Sequence, residues 1–188
     1  MTDALVQHTN DDSVLSKRSA VATGYFEDHF VRYFVKKPSR RSPLINRGYY
    51  LRMLVMNDLI TSCIAFMCRV CDTNIPIQVI SLGAGFDTLA ARLHSCDRTG
   101  IVTDKCVDTD LHDKIQNTIT EEMLRRVHFY DVDFPVVMQN KAACMAAVAV
   151  ANTTNAGSVF PSTYTYHPTD SDYPIVSPHY LAVGADLR

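Results

Sequence analysis

The chain has 188 residues, 47% of them apolar and 20% charged, with a formal net charge of −2. A chain of this size can fold as one domain and bury about two thirds of its unfolded surface, and its charge gives no electrostatic case for nucleic acid or an anionic membrane as the main partner. No uninterrupted apolar run approaches the roughly 18 residues of a membrane span. The polar start MTDALVQHTNDDS lacks the basic and apolar regions of a signal peptide, so the expected compartment is the cytoplasm.

Residues 1–12 are expected to be a flexible, frayed terminus. Asp12 or Ser13 would cap a helix through VLSKRSAVATGY, and FEDHFVRYFVKK predicts a second helix, its apolar residues falling at helical spacing. The basic stretch KKPSRR, residues 36–41, reads as a solvated loop. INRGYYLRMLVMNDLITSCIAFMCRV predicts one long helix with Leu51, Leu54, Val55, Leu59 and Ile60 as its buried stripe. Within it Cys68 and Cys71 form a C-x-x-C pair. No second pair completes four ligands, so the six cysteines read as reduced thiols and no metal site is expected.

DTNIP ends that helix, and IQVISLG is a short β-branched run suited to a buried parallel strand. FDTLAARLHS predicts the next helix. Residues 97–124 read as an insertion, with a helix in KIQNTITEEMLRRV. HFYDVDFP is a second strand ending in acids, and Pro135 opens a helix through VVMQNKAACMAAVAV. Residues 152–172 read as a long surface loop and YLAVGADLR as a third strand. Helices followed by alternating strands and helices are the opening of a doubly wound α/β domain, with fewer strands than such a sheet carries when complete.

The stretch VISLGAGFDT carries the chemistry. Gly83 and Gly85, at the mouth of a buried strand, allow a tight turn and a close approach by a ligand. GAGFDT lacks the third glycine of a dinucleotide fingerprint and the lysine of a phosphate-binding loop. With Asp131 or Asp133 at the end of the next strand to take ribose hydroxyls, the turn fits S-adenosylmethionine better, because that cofactor has a ribose but no pyrophosphate.

SKRSAV, PLINRGYYLRM, VISLGAGFDT, YDVDFP and AVGADLR, in this order, resemble the leucine carboxyl methyltransferases. Those enzymes methylate the C-terminal leucine carboxylate of the type 2A protein phosphatase catalytic subunit. The wybutosine-synthesising tRNA methyltransferases share much of the pattern. The resemblance runs from about residue 11 to 188 and implies a Rossmann-like S-adenosylmethionine-dependent methyltransferase fold with N-terminal helices. A helical cap at 13–72 and an α/β part at 75–188 would form the N-terminal half of such a domain, truncated after the third strand.

The same resemblance implies that Lys17 and Arg52 hold the cofactor's carboxylate and that the turn at Gly83 and Gly85 lies along its amino-acid part. Asp133 would bind the ribose hydroxyls, and Asp186 and Leu187 would flank the adenine. Read without the resemblance, Lys17 is a solvated helix charge, Arg52 a surface partner of Asp58, and Asp131 an equal candidate with Asp133. A carboxylate acceptor is ionised near neutral pH, so no catalytic acid or base is expected. The implied partner is the phosphatase tail, with no nucleic acid and no membrane. With half the sheet lacking, the expectation is an open edge at IQVISL, poor cofactor binding and no methylation of the tail. The reading from a different class is a non-catalytic cofactor-binding or interaction fragment.

Overall fold

The computed structural model describes residues 3–35, 37–94, 119–152, 161 and 163–187, without the side chains of 3–8 and 150–152. Helix α1 spans Asp3–Ala22, so residues 3–12, expected as a frayed terminus, are helical. The second expected helix contracts to a single turn, α2 (Val31–Phe34). There the Asp28 carboxylate takes the N–H groups of Phe30 and Val31 at 2.9 and 3.1 Å, which ties the turn down in place of a longer helix. Helix α3 (Pro43–Val70) starts two residues before the expected Ile45: Ser42 caps it by accepting the Ile45 N–H, and Pro43 sits in the first turn, where its missing donor costs nothing.

Strand β1 (Ile77–Leu82) leads into α4 (Leu89–His94). After residues 95–118, which lie outside the described residues and carry most of the expected insertion, come α5 (Glu121–Leu124), β2 (Val127–Asp133) and α6 (Pro135–Asn152). Then follow β3 (Thr165–Tyr166), β4 (Ile175–Val176) and β5 (Tyr180–Gly184). β3 corrects the expected loop at 152–172, since two-residue strands carry no periodicity to read. The third expected strand stops at Gly184.

The sheet order is β1-β2-β5-β4-β3. β1, β2 and β5 run parallel, while β4 is antiparallel to both β5 and β3. The register pairs Leu82 with Val132 and Asp133 with Gly184. The carboxyl ends of the three parallel strands therefore finish level, and the turn after β1 emerges beside Asp133. At Gly184 the close approach is of backbone: an added Cβ would lie 1.8 Å from the Ser171 carbonyl oxygen and 2.9 Å from Pro135 Cα.

Val127, Phe129, Tyr180, Ala182 and Ile175 are buried with Met138, Ala142 and Met145 of α6 and Leu89 and Leu93 of α4. β1 forms one edge of the sheet, and its alternate residues Gln78, Ile80 and Leu82 are exposed. On α3 the expected stripe divides: Leu54 and Ile60 are half-buried, Ile60 packing against the core, while the other three face outward. Leu51, Val55 and Leu59 are 55%, 59% and 54% exposed, and the buried positions are Asn46, Asn57, Thr61, Ile64 and Ala65. Periodicity finds an apolar stripe but not which side of the helix a neighbour covers. α3 is also long and apolar enough, by length and composition alone, to cross a membrane. Polar residues such as Asn57 and Asp58 punctuate the helix, so it holds no uninterrupted apolar run of that length.

Candidate functional site

A cleft of about 960 Å³ opens where β1 and β2 end, bounded also by residues of α1 and α3. The turn after β1 is built for it. Gly83 and Ala84 donate their N–H groups to the Val132 carbonyl at 2.8 and 3.2 Å, holding the turn against the end of β2. Gly83 and Gly85 have φ of +69° and +51°, a region that costs other residues about 1–2 kcal/mol. Asp133 takes the Gly85 N–H on Oδ2 and the Phe134 N–H on Oδ1, each at 2.7 Å. Asn10 of α1 accepts the Phe86 N–H at 3.0 Å, and a Cβ on Gly85 would fall 2.3 Å from the same oxygen. The helix expected to be frayed therefore closes directly onto the glycine turn.

The two acids of β2 have different environments. Asp131 is buried, with Lys141 Nζ at 2.6 Å and the Tyr180 hydroxyl donating at 2.9 Å. Asp133 lines the cleft and Asp131 does not. Strand alternation accounts for the separation: residues two apart share a face, but at the strand end Asp133 leaves the core and reaches the turn.

Lys17 is buried on α1, which removes the reading of a solvated helix charge. Its ammonium lies 2.8 Å from Asp28 Oδ2, donates to Thr88 Oγ1 at 2.7 Å and sits 3.8 Å from Asp87. Thr88 donates in turn to Asp28 at 2.5 Å. Burial pushes the Asp28 carboxyl upward, but Lys17 and Arg92 outweigh it and hold the group well below the usual carboxylate range. Asp87 is lowered in the same way, burial being overcome by Lys17, Arg92 and Lys141. Arg92, buried on α4, lies 3.8 Å from Asp28 and donates from Nη2 to Asn57 Oδ1 at 3.1 Å. Two cations and two carboxylates thus form a balanced cluster, of which Lys17, Asp87 and Arg92 line the cleft and Asp28 lies behind them.

Arg52 is exposed, lines the cleft and forms no ion pair with Asp58 or another carboxylate among the described residues. Leu187 also lines the cleft, whereas Asp186 is exposed beside it and does not. The cleft therefore brings together Lys17, Arg52, Gly83, Gly85, Asp133 and Leu187. Sequence reasoning missed Asn10, Asp28, Asn57, Thr88 and Arg92. The signal available for Asn57 was a polar residue within an otherwise apolar stretch, LVMNDLI. Cys68 and Cys71 are half-buried, and the carbonyls of both accept from Arg126. Among the described residues no three His, Cys, Asp or Glu side chains are placed to hold a metal ion.

Residues 3–104, which include α1, α3, β1, the glycine turn and α4, match the leucine carboxyl methyltransferase family. The chain belongs to the leucine carboxyl methyltransferase family. It is 38% identical over 184 residues to tRNA wybutosine-synthesizing protein 4 of Aspergillus oryzae, covering 98% of this chain and 14% of that protein. The Homo sapiens protein of the same name is 36% identical over 139 residues, 73% of this chain and 16% of the relative. The leucine carboxyl methyltransferase 1 homolog of Arabidopsis thaliana is 47% identical over 85 residues, 45% of this chain and 24% of the relative. The chain thus spans between 14% and 24% of the length of these three relatives.

Proposed function

We propose that the cleft binds S-adenosylmethionine and that the chain carries the cofactor-binding part of a carboxyl methyltransferase. The observation that carries this reading is the 2.7 Å bond between the Gly85 N–H and Asp133, which joins the glycine turn and the acid in one cleft. The residues fit the group. A Cβ added at Gly83 would meet nothing within 4 Å, so the backbone there is open to a ligand. Each Asp133 oxygen accepts one N–H and, with about four lone-pair sites on the carboxylate, has capacity left for ribose hydroxyls. Lys17 uses two of its three donors on Asp28 and Thr88, and Arg52 lines the cleft with no carboxylate partner among the described residues, which suits a ligand carboxylate. At about 960 Å³ the cleft is at the top of the range of small-molecule sites, roughly 300–1,000 Å³, with room for a nucleoside-sized cofactor and an acceptor group.

When bound, S-adenosylmethionine supplies a methyl group that passes to a carboxylate oxygen while the sulfur keeps the bonding electron pair. The chain's residues bind and orient. The acceptor is already ionised, so none of them needs to move a proton.

The extent of similarity favours an acceptor carried on tRNA, because the wybutosine-synthesizing relative matches 98% of the chain. The second reading, the leucine carboxylate of the type 2A protein phosphatase, is supported by the higher identity of 47% over a shorter span and by a net charge of −2 in place of a basic surface. A radiolabelled methyl-transfer assay offers the chain undermodified tRNA and the phosphatase catalytic subunit in parallel. Label on tRNA supports the first acceptor and label on the phosphatase the second. Binding without transfer limits the chain to holding the cofactor, and no binding of S-adenosylmethionine overturns the proposal.

A further inference from the structure

We infer that Asn57 is a further cofactor-binding residue of this cleft, donating a hydrogen bond from its side-chain amide nitrogen to the carboxylate of bound S-adenosylmethionine. The inference rests on the reading of the cleft as the site of that cofactor. Asn57 sits on α3, lines the cleft and is 4% exposed. Its Nδ2 is buried with no hydrogen-bond partner among the described residues. Buried polar groups are nearly always paired, and an orphan at a cleft wall marks a bond completed by a ligand or an ordered water.

The orientation of the amide follows from chemistry. Arg92 Nη2 lies 3.1 Å from Asn57 Oδ1. A guanidinium only donates, so the atom facing it must be the oxygen, and the NH₂ group must point elsewhere. Arg92 cannot turn away freely, because it is 2% exposed and lies 3.8 Å from Asp28, which also holds Lys17 at 2.8 Å. One carboxylate, Asp28, thereby positions both Lys17 and, through Arg92, the donor face of Asn57.

The class of ligand atom follows from the same cluster. An NH₂ group requires an acceptor. Lys17 and Arg52 line this cleft as cations, so the acceptor that suits all three is anionic. On S-adenosylmethionine the anionic group is the amino-acid carboxylate. Asp133 serves the ribose by a different device, since it offers only acceptors.

Affinities of S-adenosylmethionine and 5′-methylthioadenosine, which has the same adenosine but no amino-acid carboxylate, are measured for the unsubstituted chain, Asn57→Asp and Asn57→Leu. Asn57→Asp keeps an oxygen for Arg92, so it tests the missing donor even where Asn57→Leu fails to fold. The expected result is a loss of about tenfold for S-adenosylmethionine in Asn57→Leu and a larger loss in Asn57→Asp, where a carboxylate faces a carboxylate. Affinity for 5′-methylthioadenosine should stay within about twofold, since none of its atoms meets residue 57. A merely structural Asn57 would weaken both ligands by the same factor. That outcome, or no change with either ligand, overturns the inference and leaves the cofactor reading intact. Failure of both ligands to bind the unsubstituted chain overturns the cofactor reading, and this inference with it.

Discussion

Replacing Asp131 and Asp133 separately by alanine should divide a folding defect from a binding defect. Asp131→Ala leaves the Lys141 ammonium, 2% exposed, without the carboxylate now 2.6 Å away, and removes the acceptor of the Tyr180 hydroxyl. Removing one partner of a buried pair costs about 3–5 kcal/mol, against a total stability of about 5–15 kcal/mol. Asp133→Ala gives up two bonds from backbone N–H groups at a half-buried position beside the cleft, where water can replace the carboxylate. Its cost to folding should be about 1–2 kcal/mol. Its cost to cofactor binding, through lost bonds to a charged acceptor, should be about 1.5–3 kcal/mol, or on the order of 10- to 150-fold. Urea unfolding followed by circular dichroism reads the first effect, and cofactor titration under folding conditions reads the second. The companion Asp131→Leu/Lys141→Met should recover most of the stability, since a buried pair replaced whole is often neutral. A reversed pattern, with Asp131→Ala stable but weak in binding and Asp133→Ala unstable but normal in binding, would refute the assignment of the two acids.

Three further outcomes follow from the packing. Burial, then His179 and His128, lower the His94 pKa from 6.5 to about 4. The unfolded chain therefore takes up a proton first as pH falls, and stability present above pH 6.5 is lost progressively toward pH 4. Denaturant melts should show a loss of about 2 kcal/mol between pH 7 and 5 that is largely absent in His94→Phe. On α3, Leu59→Lys should change stability by less than about 0.5 kcal/mol, whereas Ile64→Ala should cost about 2–5 kcal/mol; equal costs in urea melts would show that the exposed stripe is packed in solution. Gly184→Ala, whose Cβ would lie 1.8 Å from the Ser171 carbonyl, should cost at least about 1–3 kcal/mol, read as a fall in melting temperature.

The legible parts of this chain were those with a local cause. The long run from Ile45 announced α3, the β-branched run β1, and the glycines after it the turn, while the Ser42 cap and Pro43 were passed over as loop. The α/β class followed from the order of such elements, and the structure fills it with a five-stranded mixed sheet. What depends on distant partners was not legible. Leu51, Leu54, Val55, Leu59 and Ile60 read as one core face, yet Leu51, Val55 and Leu59 are exposed and the helix buries Asn57, Thr61 and Ile64 beside a half-buried Ile60. Nothing near Lys17 in the sequence announces Asp28 or Thr88, which reach it across turns. Asn10 lies in a polar stretch with no apolar period, and its bond to the Phe86 N–H is a distant contact that no local pattern announces. Asp131 and Asp133 were equivalent by composition until register and burial parted them.

The central claim, that the turn at Gly83–Gly85 and the carboxylate of Asp133 form a site for S-adenosylmethionine, is tested most directly by saturation-transfer nuclear magnetic resonance on the unsubstituted chain, which registers weak binding. The account predicts saturation of the ribose and adenine protons of S-adenosylmethionine, competed away by S-adenosylhomocysteine and reduced in both Asp133→Ala and Arg52→Ala. Saturation of a nicotinamide dinucleotide with none of S-adenosylmethionine would contradict it.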